Sequence, residues 1–205
     1  MREKPDLGDE KWRVFCAVAL PGDLHERLTT HINRIRDIAP DARARWSRAD
    51  NIHLTLKFLG DISLPRVEKL SEAASRSVED FAPFKIVLEQ TGVFPPHGSP
   101  RVLWIGVNDL EGKLGQVHAR LEVECAKAGF PRESRPFHPH LTFARLRQPQ
   151  RAGTLASAHK AMEFEPAEVA VSELLVIRSE RSELSSEGSK YTVVSRHSLG
   201  SSNKL

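Results

Sequence analysis

The sequence predicts a mixed fold of helices and strands, built from two similar strand–helix–strand halves. Three observations carry that prediction. Apolar residues alternate over short runs, as at Val14, Cys16 and Val18, and recur at helical spacing over longer ones, as at Leu24, Leu28, Ile32 and Ile35. The two patterns succeed each other in the same order twice. Each succession ends in an apolar strand that opens His-Leu-Thr, and the spacing barely changes: Val14 precedes His53 by 39 residues and Val102 precedes His140 by 38. Two such units in one chain pack about a pseudo-twofold axis, which brings equivalent strands to a shared cleft.

Arg13 to Ala19 is the first strand. Pro21 and Asp23 open a helix that ends before Pro40. A short segment around Trp46 leads into a strand from Asn51 to Leu59, closed by Gly60 and Asp61. Ser63 and Pro65 start a second helix over Arg66 to Ser77, and Phe84 to Val93 is a strand. After a turn rich in Pro and Gly, Pro95 to Pro100, the second unit begins with the strand Arg101 to Val107. Its helix runs to about Ala128 with Gly129 as the stop, and its last strand is His140 to Leu146. Two further strands are expected at Val169 to Ile177 and Lys190 to Ser195, separated by the polar stretch Ser182 to Ser189. The whole chain, 1–205, is expected to be one two-lobed domain with a core of about 12–199 and a disordered tail of about 200–205.

Composition narrows the function classes. The chain is 40% apolar and 28% charged, usual for a folded protein. No apolar run is long enough to cross a bilayer, and the charged first eleven residues lack a secretory apolar segment. Cys16 and Cys125 lie far apart in apolar segments, which argues against a disulfide framework and for a cytoplasmic location. A formal charge of +3 is too small for a histone-like nucleic-acid binder, but 20 of the 30 basic residues are Arg. Guanidinium forks suit phosphate, and they cluster at Arg43, Arg45 and Arg48 and from Arg132 to Arg151, so a phosphate-bearing ligand is expected.

The chemistry concentrates in the two motifs, Ile52-His53-Leu54-Thr55-Leu56-Lys57-Phe58-Leu59 and Pro139-His140-Leu141-Thr142-Phe143-Ala144-Arg145-Leu146. Strand parity puts His53 with Thr55, and His140 with Thr142, on one face, and the intervening apolar residues on the other. Unbroken parity also puts Lys57 on the His53 face and takes Arg145 off the His140 face, so Arg145 needs a bulge or a reach around the strand end to arrive there. Chance gives only roughly 0.3 His-x-Thr triplets in such a chain, and both copies fall at equivalent places in a duplicated unit. A pair of imidazoles titrating near pH 6.5, each with a hydroxyl two residues on, suits general acid–base hydrolysis of a phosphodiester without a metal. His138-Pro139-His140 could instead be a metal-binding pair, but no Asp lies between Pro131 and Arg151 to complete a shell. No Gly-rich phosphate loop or Gly-x-Ser-x-Gly elbow is present.

The doubled motif resembles the signature of the 2H phosphoesterases. The surrounding residues, Arg13 to Ala17, Trp46, His53 to Gly60, Arg101 to Trp104, Pro139 to Arg145, and the ending with Ser182, Leu184, Gly188 and Tyr191, resemble in particular the RNA 2',3'-cyclic phosphodiesterases of that superfamily. The resemblance implies a bilobal α+β fold with antiparallel sheets lining a central cleft and helices outside. It implies opening of a terminal 2',3'-cyclic phosphate to a 2'-phosphate, with His53 as proton donor, His140 as proton acceptor and the hydroxyls of Thr55 and Thr142 on the phosphate oxygens. Arg145, Lys57, Phe15 and Trp46 are the candidate substrate-binding residues. No metal or cofactor is expected. The expected partners are RNA ends bearing a 2',3'-cyclic phosphate, such as tRNA fragments, and a nucleotide in the cleft; the protein is expected to act as a monomer without a membrane. Reverse chemistry, joining RNA ends through a 2'–5' bond, uses the same acid and base. The alternative from another class is a non-catalytic module that stacks and clamps an RNA end.

Overall fold

The computed structural model describes residues 10–148, 152–181 and 189–200. Thirteen regular elements follow one another. They are β1 (Lys11–Val18), α1 (Gly22–Ile38), β2 (Ala44–Trp46), β3 (Leu54–Ser63), α2 (Leu64–Val78), β4 (Phe84–Phe94), β5 (Val102–Asn108), α3 (Lys113–Lys127), β6 (His140–Leu146), α4 (Gly153–Ala161), β7 (Ala167–Val171), β8 (Glu173–Arg181) and β9 (Ser189–Ser198), with a single 3-10 turn at Ala49–Asn51 before β3. The helices begin where local chemistry starts them. Pro21 precedes α1 in an extended conformation and Asp23 sits in its first turn, while Pro65 occupies the opening of α2, where a missing N–H costs nothing. Gly129, at φ +81°, follows α3 and stops it, as the sequence predicts.

The strands form two antiparallel sheets. The four-stranded sheet has the order β3-β1-β8-β9 and the five-stranded sheet β2-β6-β5-β4-β7. The duplication is visible in this order: β3 and β1 of the first unit occupy the places that β6 and β5 of the second occupy in the other sheet. The inner strand β1 is buried on both faces. Val14, Cys16 and Val18 of β1 join the main core, and Phe15 and Ala17 on the opposite side pack with Leu175 and Ile177.

Four features depart from the sequence reading. The first is the placement of the helices: α1 follows a strand of the four-stranded sheet but packs on the five-stranded one, where His31 meets Phe143 of β6 and Arg36 lies over Trp46 of β2. In return α3, which follows a strand of the five-stranded sheet, packs with α2 on the four-stranded one. The helices are exchanged between the halves. The second is the apolar run after residue 166, which is two strands in place of one: β7 pairs with β4 and β8 with β1, and the chain changes sheets at Ser172. The third is α4, which the sequence reading leaves unassigned; its segment is made mostly of small residues, and only Leu155, Ala156 and His159 are buried. The expected strand end at Gly60 is an interior position, since β3 runs on to Ser63. Ser182, Leu184, Gly188 and most of the expected tail lie outside the described residues.

Candidate active site

The two His-Leu-Thr motifs lie one in each sheet, on β3 and β6, and these two strands touch. His53 stands just before β3 and His140 is the first residue of β6. Each imidazole is held in the same way. His53 donates from Nδ1 to the Asn51 carbonyl at 2.9 Å, and His140 donates from Nδ1 to the His138 carbonyl at 2.7 Å. A carbonyl can only accept, so in both rings Nε2 is the nitrogen left to exchange protons. The Asn51 side chain in turn donates to the Ser189 carbonyl at 3.0 Å, which ties the turn before β3 to β9.

Apolar rings surround both imidazoles. Phe15 stacks on His53 with centroids 4.4 Å apart, and Tyr191 meets its edge at 5.2 Å. Phe94 meets His140 edge-on at 5.0 Å, with Trp104 at 6.4 Å. Burial among these rings disfavours the charged form, so both groups are drawn below the ordinary 6.5: His53 to about 4, against the pull of its Asn51 hydrogen bond, and His140 by burial and then by the Arg145 charge. In both rings burial favours the neutral form.

Both motif strands carry a bulge at the same place. In β3, Ala17 pairs with Thr55 and Cys16 with Lys57, so Leu56 has no partner. In β6, Trp104 pairs with Thr142 and Leu103 with Ala144, so Phe143 has none. One extra residue reverses the parity beyond it. Arg145 thereby gains the face of His140 and Thr142, which meets the condition its predicted role required. Lys57 is lost to the other side. The expectation that it shares the His53 face is wrong: it is 5% exposed, and its ammonium donates to both Glu122 carboxylate oxygens, at 2.7 and 2.8 Å, and to the Pro131 carbonyl at 2.8 Å. The residue the bulge turns into the cleft in its stead is Phe58.

Two other candidates are also corrected. Phe15 is 3% exposed, with one ring face on His53 and Phe58 stacked at 6.5 Å, so it positions the imidazole and offers no surface to a base. Trp46 packs on Phe143 with centroids 6.2 Å apart and joins the main core, because on β2 it is Arg45 that shares the cleft face. Arg45 pairs across strands with Arg145, and burial holds the Tyr191 phenol above its usual value against the pull of these two and of Arg13. Like charges set side by side repel, and an anion between them relieves it. Sequence reading noted Arg45 only as one of a cluster; its pairing with Arg145 needs the β2–β6 register.

Beside His140 the face opens into a cavity of about 640 Å³, floored by Trp104 and Gly106 and rimmed by Glu89, Gln90, Asn108 and His138. Asn108 donates to Glu89 at 2.8 Å. The floor depends on Gly92, whose place on β4 leaves room for the Trp104 indole; a Cβ there would overlap the ring. Gln90 bulges from the same strand with φ 63°, a conformation uncommon outside glycine.

Comparison with known proteins agrees with this geometry. A profile described as the 2'-5' RNA ligase superfamily matches residues 22–183. The RNA 2',3'-cyclic phosphodiesterase of Methanothermobacter thermautotrophicus is 33% identical over 89% of this chain and 96% of its own length. The Escherichia coli protein of the same description is 34% identical over 66% of this chain and 73% of its own. Among solved structures, E. coli LigT complexed with 3'-AMP superposes with a TM-score of 0.70 at 29% identity, covering 93% of this chain and 99% of that one. With the duplicated His-Leu-Thr strands set in matching sheets, and relatives of nearly full length, the chain belongs to the 2'-5' RNA ligase superfamily.

Proposed function

We propose that the protein hydrolyses RNA ends bearing a 2',3'-cyclic phosphate, leaving a 2'-phosphate and a free 3'-hydroxyl. The observation that carries the reading is the matched holding of His53 and His140, each fixed through Nδ1 with Nε2 left free and each followed by a hydroxyl. The relatives named RNA 2',3'-cyclic phosphodiesterase support the substrate class, and the LigT complex with 3'-AMP supports a nucleotide in the cleft.

In this reading the His140 Nε2 lone pair takes a proton from water as the water oxygen attacks phosphorus in line with the 3'-oxygen. The bond from phosphorus to the 3'-oxygen breaks, and His53, protonated once the anionic substrate is bound, gives its Nε2 proton to that oxygen. The Thr55 and Thr142 hydroxyls donate to the non-bridging oxygens. Arg145 and Arg45 stabilise the charge that grows there. Joining of RNA ends through a 2'–5' bond is the same path with the 5'-hydroxyl of another strand attacking phosphorus in place of water: its proton goes to His140, and the 3'-oxygen leaves with the proton from His53.

The test is hydrolysis of a nucleoside 2',3'-cyclic phosphate with identification of the product isomer. A 2'-phosphate is expected, and predominant 3'-phosphate would reverse the order of the cyclic ester between the histidines. His53→Ala and His140→Ala should each lose roughly 10²- to 10⁴-fold in turnover, with non-additive loss in the double variant. A substrate with an activated leaving group should rescue His53→Ala far more than His140→Ala; the opposite pattern exchanges their roles.

A further inference from the structure

The four-stranded sheet presents an aromatic ring that opening a cyclic phosphate does not require. Phe58 is 52% exposed on the face that His53 shares, while Leu56 and Lys57 before it are buried. Only the bulge at Leu56 puts it there. Its ring is stacked on Phe15 at 6.5 Å and Phe15 on His53 at 4.4 Å, so a single covered ring separates Phe58 from the catalytic imidazole. The Arg13 guanidinium lies 4.6 Å from the Phe58 centroid. Among the described residues its acidic partner is Asp61, at 3.5 Å and largely exposed, an ion pair that solvent already weakens. An exposed aromatic face with a guanidinium beside it is what an unstacked base and its phosphate bind. Farther out the surface changes character: Arg178, stacked over Trp12, is bonded to Glu180 at 3.2 Å and lies 3.8 Å from Glu10. That mixed-sign rim does not favour a continuing chain of phosphates.

We propose that Phe58 and Arg13 form a second subsite, which takes the one nucleotide on the 5' side of the terminal cyclic phosphate. Its base rests on the exposed part of the Phe58 ring, and the phosphodiester that joins it to the terminal nucleoside lies against Arg13. The proposal rests on the cyclic phosphodiesterase reading and adds a preference for RNA ends over free cyclic nucleotides.

The experiment compares kcat/KM of the full chain on adenosine 2',3'-cyclic phosphate with that on the adenosine dinucleotide and trinucleotide ending in the same group. The wild-type protein should favour the dinucleotide, with no comparable further gain for the trinucleotide. Phe58→Ala should lower the ratio of dinucleotide to mononucleotide by roughly fivefold to a hundredfold, the worth of one stacked base. Arg13→Gln should lower it too and flatten its dependence on salt. Phe58→Leu keeps an apolar side chain without a π face, so it carries the same test if the alanine variant fails to fold. A wild-type ratio near one, or a ratio unchanged in the folded variants, including equal loss on both substrates, overturns the subsite. Wild-type protein that opens none of the three substrates overturns the phosphodiesterase reading itself, and the subsite with it.

Discussion

Lys57 and Arg145 show how far one residue's role depends on a backbone irregularity next to it. Both were candidates for the phosphate, and the bulges sort them in opposite directions. Arg145→Ala should cut kcat/KM for the cyclic phosphate by one to several orders of magnitude and leave the thermal midpoint nearly unmoved. Lys57→Ala should do the reverse, because it leaves Glu122 buried without its counter-charge, a loss of about 3–5 kcal/mol. Paired activity and melting measurements decide, and loss of substrate binding in a fully stable Lys57→Ala would return it to the site. The imidazoles make a second prediction. With His53 near 4 and His140 also lowered in the free protein, the pH optimum of kcat/KM, which reports free enzyme, should lie below 6.5. A bound phosphodiester anion favours the imidazolium, so the optimum of kcat should lie higher. A kcat/KM optimum well above 7 would contradict His53 as the acid. The common face of each motif histidine and its threonine was legible in the sequence because both bulges fall beyond the threonine. Phe58 was not, since an alternating pattern carries no mark of an unpaired residue.

Among the elements, α1 is the one whose packing carries a titration. His31 on its buried face meets Phe143, Phe164 and His159, and among the described residues neither the His31 Nε2 nor the His159 Nδ1 has a hydrogen-bond partner. His159 donates its other nitrogen to the carbonyls of Gly92 and Trp104, at 3.1 and 3.0 Å, beneath the cavity floor. Burial, aided by His159 and Arg34, lowers His31 to about 4, and burial lowers His159 as well. A base whose folded pKa lies below its unfolded value is protonated first in the unfolded chain. The stability it contributes is therefore whole above about 6.5 and is lost as the pH falls toward 4, by about 3 kcal/mol for His31. Urea midpoints measured across that window should fall, and His31→Leu should flatten the slope; an unchanged slope would show that other groups set it. Element boundaries followed well from periodicity for α1, α2, α3 and β6. Which sheet each helix covers did not, because an apolar stripe such as Leu24, Leu28, Ile32 and Ile35 specifies that a face is buried and says nothing about its partner. The break at Ser172 was hidden for a similar reason: only Ser172 and Glu173 separate the apolar residues of β7 from those of β8, and that pattern does not say which sheet each joins.

For the molecule as a whole, the exchange of helices and the change of sheet at Ser172 send the chain repeatedly between the two layers. Buried residues of both sheets and all four helices belong to one main core. Neither sheet holds its full set of strands and helices from one half of the sequence, so neither lobe should unfold alone. Variants that keep Trp12 alone, on the four-stranded sheet, or Trp104 alone, on the five-stranded sheet, should report the same denaturant midpoint, and that midpoint should match the far-ultraviolet transition. Separated midpoints would mean that the lobes are independent units. The repeat in the sequence pointed to two matching sets of strands, which the two antiparallel sheets supply, but it gave no sign that the helices change places between them.

The exchanged helices also bear on where such a chain comes from. A single half, alone in solution, would carry α1 with its row of Leu24, Leu28, Ile32 and Ile35 bare and a sheet with nothing to cover it. Its simplest remedy is a second copy of itself, each lending its helix to the other. A gene fusion of two such copies would need no new contacts, only a linker, and would at once free the two halves to diverge. Position five after each motif histidine records that freedom: the matching bulges persist, while one copy holds Phe58 and the other Arg145.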